Sequence, residues 1–118
     1  MVETVTTIND YSVMCYVTEE VIYFTRELDD LWVRWGDEQA TFECELSIEG
    51  LTVNWTKDNS PLYTDSRIHI QSQGRTHRLI IDKPDSRDVG KYTATYDENL
   101  STTAALFVIG NMYGIVNM

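Results

Sequence analysis

Two histidines are the side chains of this 118-residue chain best suited to general acid–base chemistry. His69 alternates with Ile68 and Ile70 and is expected to point to solvent, and His77 begins a neighbouring strand-like segment. Such a pair could bind a metal ion adventitiously, but catalysis also needs a nucleophile and a group that orients the base. The sequence has no Gly-Xaa-Ser-Xaa-Gly turn, phosphate-binding glycine loop or His-Glu-Xaa-Xaa-His motif. We therefore predict solvated histidines, no catalytic activity, no metal site and no cofactor.

Acidic residues dominate the charge, with 19 Asp and Glu against 9 Lys and Arg, for a net charge of −10. Such a surface repels phosphate backbones and anionic lipids, so neither nucleic acid nor membrane is an expected partner. The uninterrupted apolar run Ala104–Ile109 has six residues, far fewer than the roughly 20 of a membrane span. Glu43 and Glu45 share the outer face of one strand, which predicts a solvated face or, alternatively, a docking surface for a basic partner. The carboxylates lack the spacing of a calcium loop.

Two cysteines and two glycosylation triplets indicate in which cellular compartment the protein is found. Cys15 and Cys44 are too few for a disulfide-rich scaffold, and they lack the Cys-Xaa-Xaa-Cys spacing of zinc sites. The triplets Asn54-Trp55-Thr56 and Asn99-Leu100-Ser101 fit the acceptor pattern. Asn99 lies in a predicted turn and is the more plausible acceptor, since Asn54 lies in the middle of a strand.

The elements that position these residues are predicted to be strands. Turn signals recur along the chain, and the segments between them alternate apolar and polar residues. The clearest alternating segments are Ala40–Leu46, Leu51–Trp55, Arg78–Ile81, Tyr92–Tyr96 and Ala104–Val108. Short strands separated by regular turns are typical of an all-β sandwich, in which two antiparallel sheets enclose one core.

Three spaced motifs give this pattern a family resemblance. Phe42-Glu43-Cys44 is followed by Val53-Asn54-Trp55 and then by the run Asp88–Tyr92, which contains Asp-Xaa-Gly-Xaa-Tyr. Over residues 22–109 the chain resembles an immunoglobulin domain of the intermediate set (I-set). The resemblance implies a strand-B cysteine at Cys44, a strand-C tryptophan at Trp55 and a tyrosine corner at Tyr92.

The resemblance also assigns structural roles. It implies a salt bridge between Arg67 and Asp88 at the base of the sandwich. The residues expected in the structural core are Cys44, Trp55, Leu79, Tyr92 and Ala94.

One departure from the family pattern is informative, because Ala94 stands where the second disulfide cysteine is expected. Without that disulfide, the chain resembles the I-set domains of intracellular giant muscle scaffolds of the titin, obscurin, myosin-binding protein C and myomesin type. The resemblance implies a non-catalytic protein–protein interaction and structural module in the cytoplasm, within a sarcomeric or cytoskeletal scaffold. An extracellular adhesion or receptor domain, with a glycan on Asn99 and a disulfide involving Cys15, is the alternative. Two further alternatives are a structural spacer that has no partner and a domain that lies beside a kinase in a longer protein.

Exposed aromatic residues mark the expected partner site. The resemblance implies a strand A′ that contains Leu31 and Val33, and a strand G at Ala104–Val108 that pairs with it. By alternation, Trp32 projects outward from A′ and Phe107 from G, while Trp35 lies at a thinly covered strand end. Thr93 and Thr95 extend the same uncharged sheet face. The expected partner is a filament or scaffold protein bound through this face or the A′/G edge, although residues 1–20 or Met112–Val116 could instead cover the aromatic side chains.

The chain is expected to divide into three parts. Residues 1–20 form an N-terminal extension or linker that could add one strand, residues 21–110 form the I-set domain, and residues 111–118 form a tail or linker. The N-terminal segment or the A′/G edge could also mediate a homodimer.

Overall fold

The computed structural model describes residues 21–110 fully, and within residues 1–20 it describes two strands without their side chains. Those strands are β1 (Val2–Ile8) and β2 (Tyr11–Glu19), and they pair antiparallel with each other. The predicted tail at residues 111–118 and the side chain of Cys15 lie outside the described residues.

Short strands account for most of residues 21–110, and the turn at Ser86–Asp88 is a 3₁₀ helix. In chain order the strands are β3 (Phe24–Arg26), β4 (Leu31–Arg34), β5 (Gln39–Leu46), β6 (Asn54–Lys57), β7 (Ser60–Pro61), β8 (Ile68–Gln73), β9 (Thr76–Asp82), β10 (Gly90–Asp97) and β11 (Leu100–Ile109).

The strands of this region form two sheets. One has the order β4-β11-β10-β6-β7 and the other the order β3-β5-β9-β8. Neighbouring strands are antiparallel, except that β4 runs parallel to β11. These findings confirm the predicted all-β immunoglobulin-like sandwich.

The core forms because alternate residues of each strand face the opposite sheet. Strand β5 shows this directly, since Ala40, Phe42, Cys44 and Leu46 are buried in turn. The buried apolar residues are Leu28, Val33, Ala40, Phe42, Cys44, Leu46, Val53, Trp55, Ile68, Leu79, Ile81, Tyr92, Ala94, Ala104 and Leu106. Within residues 21–110, no helix is long and apolar enough to cross a membrane.

A tight hairpin joins β8 to β9. Gln73 pairs with Thr76, and Gly74 between them has φ of 61°, a left-handed conformation that favours glycine. The register then continues without a bulge to the pair Ile68–Ile81, so β8 is straight and regular along its whole length.

Candidate interaction surface

An aromatic stack stands on the outer face of the β4-β11-β10-β6-β7 sheet. The parallel register of β4 and β11 places Trp32 opposite Phe107, and the two ring centroids are 4.1 Å apart with the planes inclined by 19°. Phe107 is half-buried by this contact, whereas Trp32 remains 66% exposed. The stack is therefore a flat apolar surface with one face open to solvent.

Hydrogen bonds at both ends of β4 hold the stack in place. The Ala105 amide donates to Asp30 Oδ1 at 2.8 Å, just before β4 begins. Just after β4 ends, the Trp35 amide donates to the Ile109 carbonyl at 2.9 Å. Because both ends of the short strand are bonded to β11, Trp32 is presented by a fixed backbone.

Hydroxyl groups continue this surface across the sheet. Thr93 lies opposite Thr103, with their Oγ1 atoms 2.8 Å apart, and opposite Thr56 on the other side. Thr95 lies between Ser101 and Asn54. The face is not wholly uncharged as expected, because exposed Lys91 lies on it opposite Ala105. It thus combines one apolar stack, a row of hydroxyl groups and one cation, a composition suited to protein contacts.

Trp35 lies apart from this stack, at the base of the sandwich. It is 45% exposed and lines a cleft of about 390 Å³. The other residues that line the cleft are Gly36, Asp37, Glu38, Arg67, Lys83, Pro84, Asp85 and Arg87. The structure therefore separates the two predicted contact tryptophans, Trp32 and Trp35, and of these only Trp32 shares a surface with Phe107.

The base of the sandwich is closed by a network around Asp88. Asp88 Oδ2 accepts hydrogen bonds from Arg67 Nη2 at 2.6 Å and from the Asp85 amide at 2.9 Å. The Tyr92 hydroxyl donates to the Asp88 carbonyl at 2.6 Å, as a tyrosine corner does. Hydrogen bonds from Arg87 lower the pKa of Asp85 to about 2. This network joins two loops and strand β10, which gives it a structural role.

Cys44 is a free, fully buried cysteine. Burial raises the pKa of its thiol to about 11, and the neighbouring Glu43 carboxylate adds to the effect. A thiol with so high a pKa stays protonated near neutral pH and is a poor nucleophile or metal ligand. Ala94 on β10, which stands where the second cysteine of a disulfide is expected, is fully buried as well. With no sulfur at that position, Cys44 serves as a small apolar core residue.

The two histidines differ, and the prediction that both are solvated is wrong for His77. His69 is exposed and lies 2.9 Å from Asp82 Oδ2, whereas His77 is fully buried. The reason is the register of β9, whose alternate residues His77, Leu79 and Ile81 all face the core. Ser72 Oγ lies 2.8 Å from His77 Nδ1, and burial lowers the pKa of the imidazole. A neutral, buried histidine on this face packs within the core.

The outer carboxylates of β5 are paired with arginines. Glu43 contacts Arg26 at 3.3 Å and Arg78 at 3.1 Å, and Glu45 contacts Arg75 at 3.4 Å. Their charge is largely balanced locally, which weakens the alternative of an acidic docking face for a basic partner. Within residues 21–110, no group of three His, Cys, Asp or Glu side chains is placed to hold a metal ion.

Tyr63 is an exposed aromatic residue that the sequence reasoning missed. Its side chain is 78% exposed, and it follows β7 in an irregular segment. Alternation assigns a face only inside a strand, so no periodic signal could have revealed this exposure.

Comparisons with known proteins agree with this geometry. Residues 22–106 match the family model of the immunoglobulin I-set domain. Myosin-binding protein C, fast-type, of Gallus gallus is 38% identical over 77 residues, which cover 65% of this chain and 7% of that protein. The fast-type protein of Homo sapiens is 37% identical over 81 residues, with 69% and 7% coverage. The chain therefore spans about 7% of the length of these curated relatives.

Solved structures show the same fold. Domain I10 of titin superposes with a TM-score of 0.70 at 28% identity, over 75% of this chain and 99% of that domain. The Ig-like domain of human obscurin-like protein 1 gives a TM-score of 0.68 at 19% identity, over 78% of this chain and 88% of that one, which shows a shared fold alone.

Proposed function

Because the chain belongs to the immunoglobulin I-set family, we propose that it is a non-catalytic module of a cytoplasmic, sarcomeric scaffold that binds another protein through its outer sheet face. The exposed Trp32–Phe107 stack is the observation that carries the proposal. Tryptophan is enriched among the residues that dominate binding energy at protein interfaces. The stack is fixed in place before binding, so little side-chain freedom is lost when a partner covers it.

The free thiol supports the cytoplasmic part of the proposal. Cys44 is buried and unpaired, and Ala94 offers no sulfur for the inter-sheet bridge of extracellular immunoglobulin domains. A domain that is stable without this bridge is suited to a reducing compartment. The same observation weighs against the adhesion or receptor alternative.

The relatives suggest which filament protein to test first. Two of them carry the name myosin-binding protein C, and we extend that binding to this chain as a proposal. A myosin segment would cover the indole of Trp32 and form hydrogen bonds with the row around Thr93 and Thr95. In a longer protein, the sandwich would also transmit tension between neighbouring modules through both of its ends.

Cosedimentation with purified myosin filaments tests the proposal. We expect Trp32→Ser to weaken binding roughly tenfold or more, since truncation of a residue that dominates an interface costs about 2 kcal/mol or more. Tyr63→Ser is the matched control, because Tyr63 is also an exposed aromatic residue but follows β7, at the opposite edge of the sheet from β4. Equal binding by the wild type and both variants would contradict the proposed surface. Failure of the wild type to sediment with myosin would contradict the proposed partner.

A further inference from the structure

Strand β8 is an open edge of the β3-β5-β9-β8 sheet, with no described strand on its far side. The other edges of the two sheets are short or protected in the usual ways. Strand β3 has three residues and a register shift, β4 has four residues, and β7 has two, one of which is Pro61. Strand β8 has six residues, a regular register and no proline. It is therefore the described edge best able to accept another strand.

The direction in which the backbone groups of β8 point follows from the turn at residues 65–68, called here the Asp65 turn. The Ile68 amide donates to Asp65 Oδ1 at 2.8 Å, and the Ile68 carbonyl accepts from the Asp65 amide at 3.1 Å. Both groups of Ile68 therefore point away from β9. Backbone groups alternate in direction along an antiparallel strand, so those of Ile70 and Ser72 also point to the open edge. These two residues leave two donors and two acceptors for a partner strand.

We propose that β8 pairs antiparallel with β8 of a second copy of this chain. A two-fold axis at Gln71 places Ile70 of each copy opposite Ser72 of the other. Each of these two pairs exchanges two hydrogen bonds. This register uses every free edge group of Ile70 and Ser72 in both copies. The Asp65 turn already occupies the backbone groups of Ile68, so it ends the pairing there.

Charge and burial both favour a second copy over a charged peptide. The sequence of β8, Ile-His-Ile-Gln-Ser-Gln, contains no Asp, Glu, Lys or Arg in a chain of net charge −10. Two acidic copies can thus meet at this strand without direct repulsion between charged side chains. A charged peptide segment, in contrast, would find no oppositely charged side chain on β8. Ile70 shares the inner face with buried Ile68, yet it is 37% exposed because the sheet ends at β8. The added strand would cover this aliphatic surface.

Disulfide trapping tests the proposed register. In a Cys15→Ser background, Gln71→Cys places two thiols at the two-fold axis, in a non-hydrogen-bonded pair with Cα atoms roughly 4.5 Å apart. Gln73→Cys is the matched control, because its two Cα atoms lie four residues apart along the strands, roughly 13 Å. Disulfides require Cα atoms within about 7 Å. Under mild oxidation we expect Gln71→Cys to form covalent dimers roughly tenfold or more faster than Gln73→Cys. Equal rates, or no dimer from either variant, would overturn the proposal.

Sedimentation velocity over a concentration series gives an independent test. Ser72→Pro removes an edge amide that β9 does not use, so it blocks pairing. It also removes the hydroxyl beside His77 Nδ1, so Ser72→Ala, which loses only that hydroxyl, is its matched control and should still dimerise. We expect the wild type and Trp32→Ser to dimerise with rising concentration and Ser72→Pro to remain monomeric, with folding checked by circular dichroism. A wild type that is monomeric throughout would overturn the proposal. Dimerisation lost in Trp32→Ser but kept in Ser72→Pro would place the dimer contact on the face that carries the Trp32–Phe107 stack instead.

Discussion

At the scale of single residues, burial separates side chains that look alike in the sequence. Trp55 is 4% exposed, whereas Trp32 is 66% exposed, so one tryptophan supports the fold and the other is available to a partner. His69 and His77 divide in the same way. The difference arises from which face of its strand each residue occupies, because a shift of one position exchanges core and solvent.

Truncation of the two tryptophans should have unequal effects on stability. We expect Trp55→Ala to lower the free energy of unfolding by roughly 3–5 kcal/mol, because it leaves a cavity in the core. Trp32→Ala should cost about 1 kcal/mol or less, since it removes one exposed aromatic contact. Urea denaturation followed by far-ultraviolet circular dichroism measures both values. A Trp55→Ala protein as stable as the wild type would refute its assignment to strand C.

Buried His77 should make stability depend on pH. Burial lowers the pKa of His77 below its ordinary value of 6.5, so the unfolded chain takes up the proton more readily than the folded one. The contribution of neutral His77 is complete above pH 6.5 and declines as the pH falls through the folded-state pKa. We expect His77→Gln to flatten the decline in stability that begins as the pH falls below about 6.5.

Denaturation curves at several pH values check this, with His69→Gln as the control, since His69 is exposed. If His69→Gln flattens the profile and His77→Gln does not, the titrating group has been assigned wrongly.

At the scale of structural elements, the turn that leads into β10 is held by side-chain bonds. The carboxylate of Asp88 is 7% exposed and binds both Arg67 and the Asp85 amide. Its backbone carbonyl also anchors Tyr92. A single residue therefore couples the 3₁₀ turn, the segment before β8 and the start of β10.

Removal of this carboxylate should destabilise the domain. We expect Asp88→Ala to lower the free energy of unfolding by roughly 2–4 kcal/mol, because Arg67 and the Asp85 amide would lose their acceptor in a partly buried site. Glu98→Ala, at an exposed position in the β10–β11 turn, should change it by less than about 0.5 kcal/mol. Chemical denaturation of the two variants provides the comparison, and equal effects would show that the Asp88 network contributes little.

At the scale of the whole molecule, the buried core residues that the structure describes lie between Leu28 and Leu106. The two sheets that contain them lie within residues 21–110. We propose on this ground that residues 21–110 form one domain, because a domain needs its own enclosed core.

A fragment of residues 21–110 should therefore fold independently. We expect its free energy of unfolding to lie within about 1 kcal/mol of that of the full chain, because the described core and both of its sheets lie within this range. Thermal and urea denaturation of the two proteins measure the difference. A fragment that is unfolded or much less stable would show that residues 1–20 or 111–118 are part of the folding unit.

The family fold could be predicted from the sequence because its signals are local and periodic. Alternation within Ala40–Leu46 and Tyr92–Tyr96 predicted an all-β sandwich, and the resemblance at Cys44, Trp55 and Tyr92 implied an immunoglobulin domain. The strand order confirms both. Strand periodicity of this kind depends only on neighbours along the chain, so it can be recognised from the sequence alone.

Long-range pairing decided the features that the sequence left open. The parallel register of β4 and β11 stacks Trp32 on Phe107, and the position of Trp35 at the strand end places it on a separate cleft. The register of β9 buries His77, and the sheet order leaves β8 as an open edge. The sequence by itself determined most of the segments that become strands, although β6 begins at Asn54 rather than at Leu51 and β7 was not predicted. Which strands meet, and at which register, depended on contacts between distant residues, and only the tertiary structure shows them.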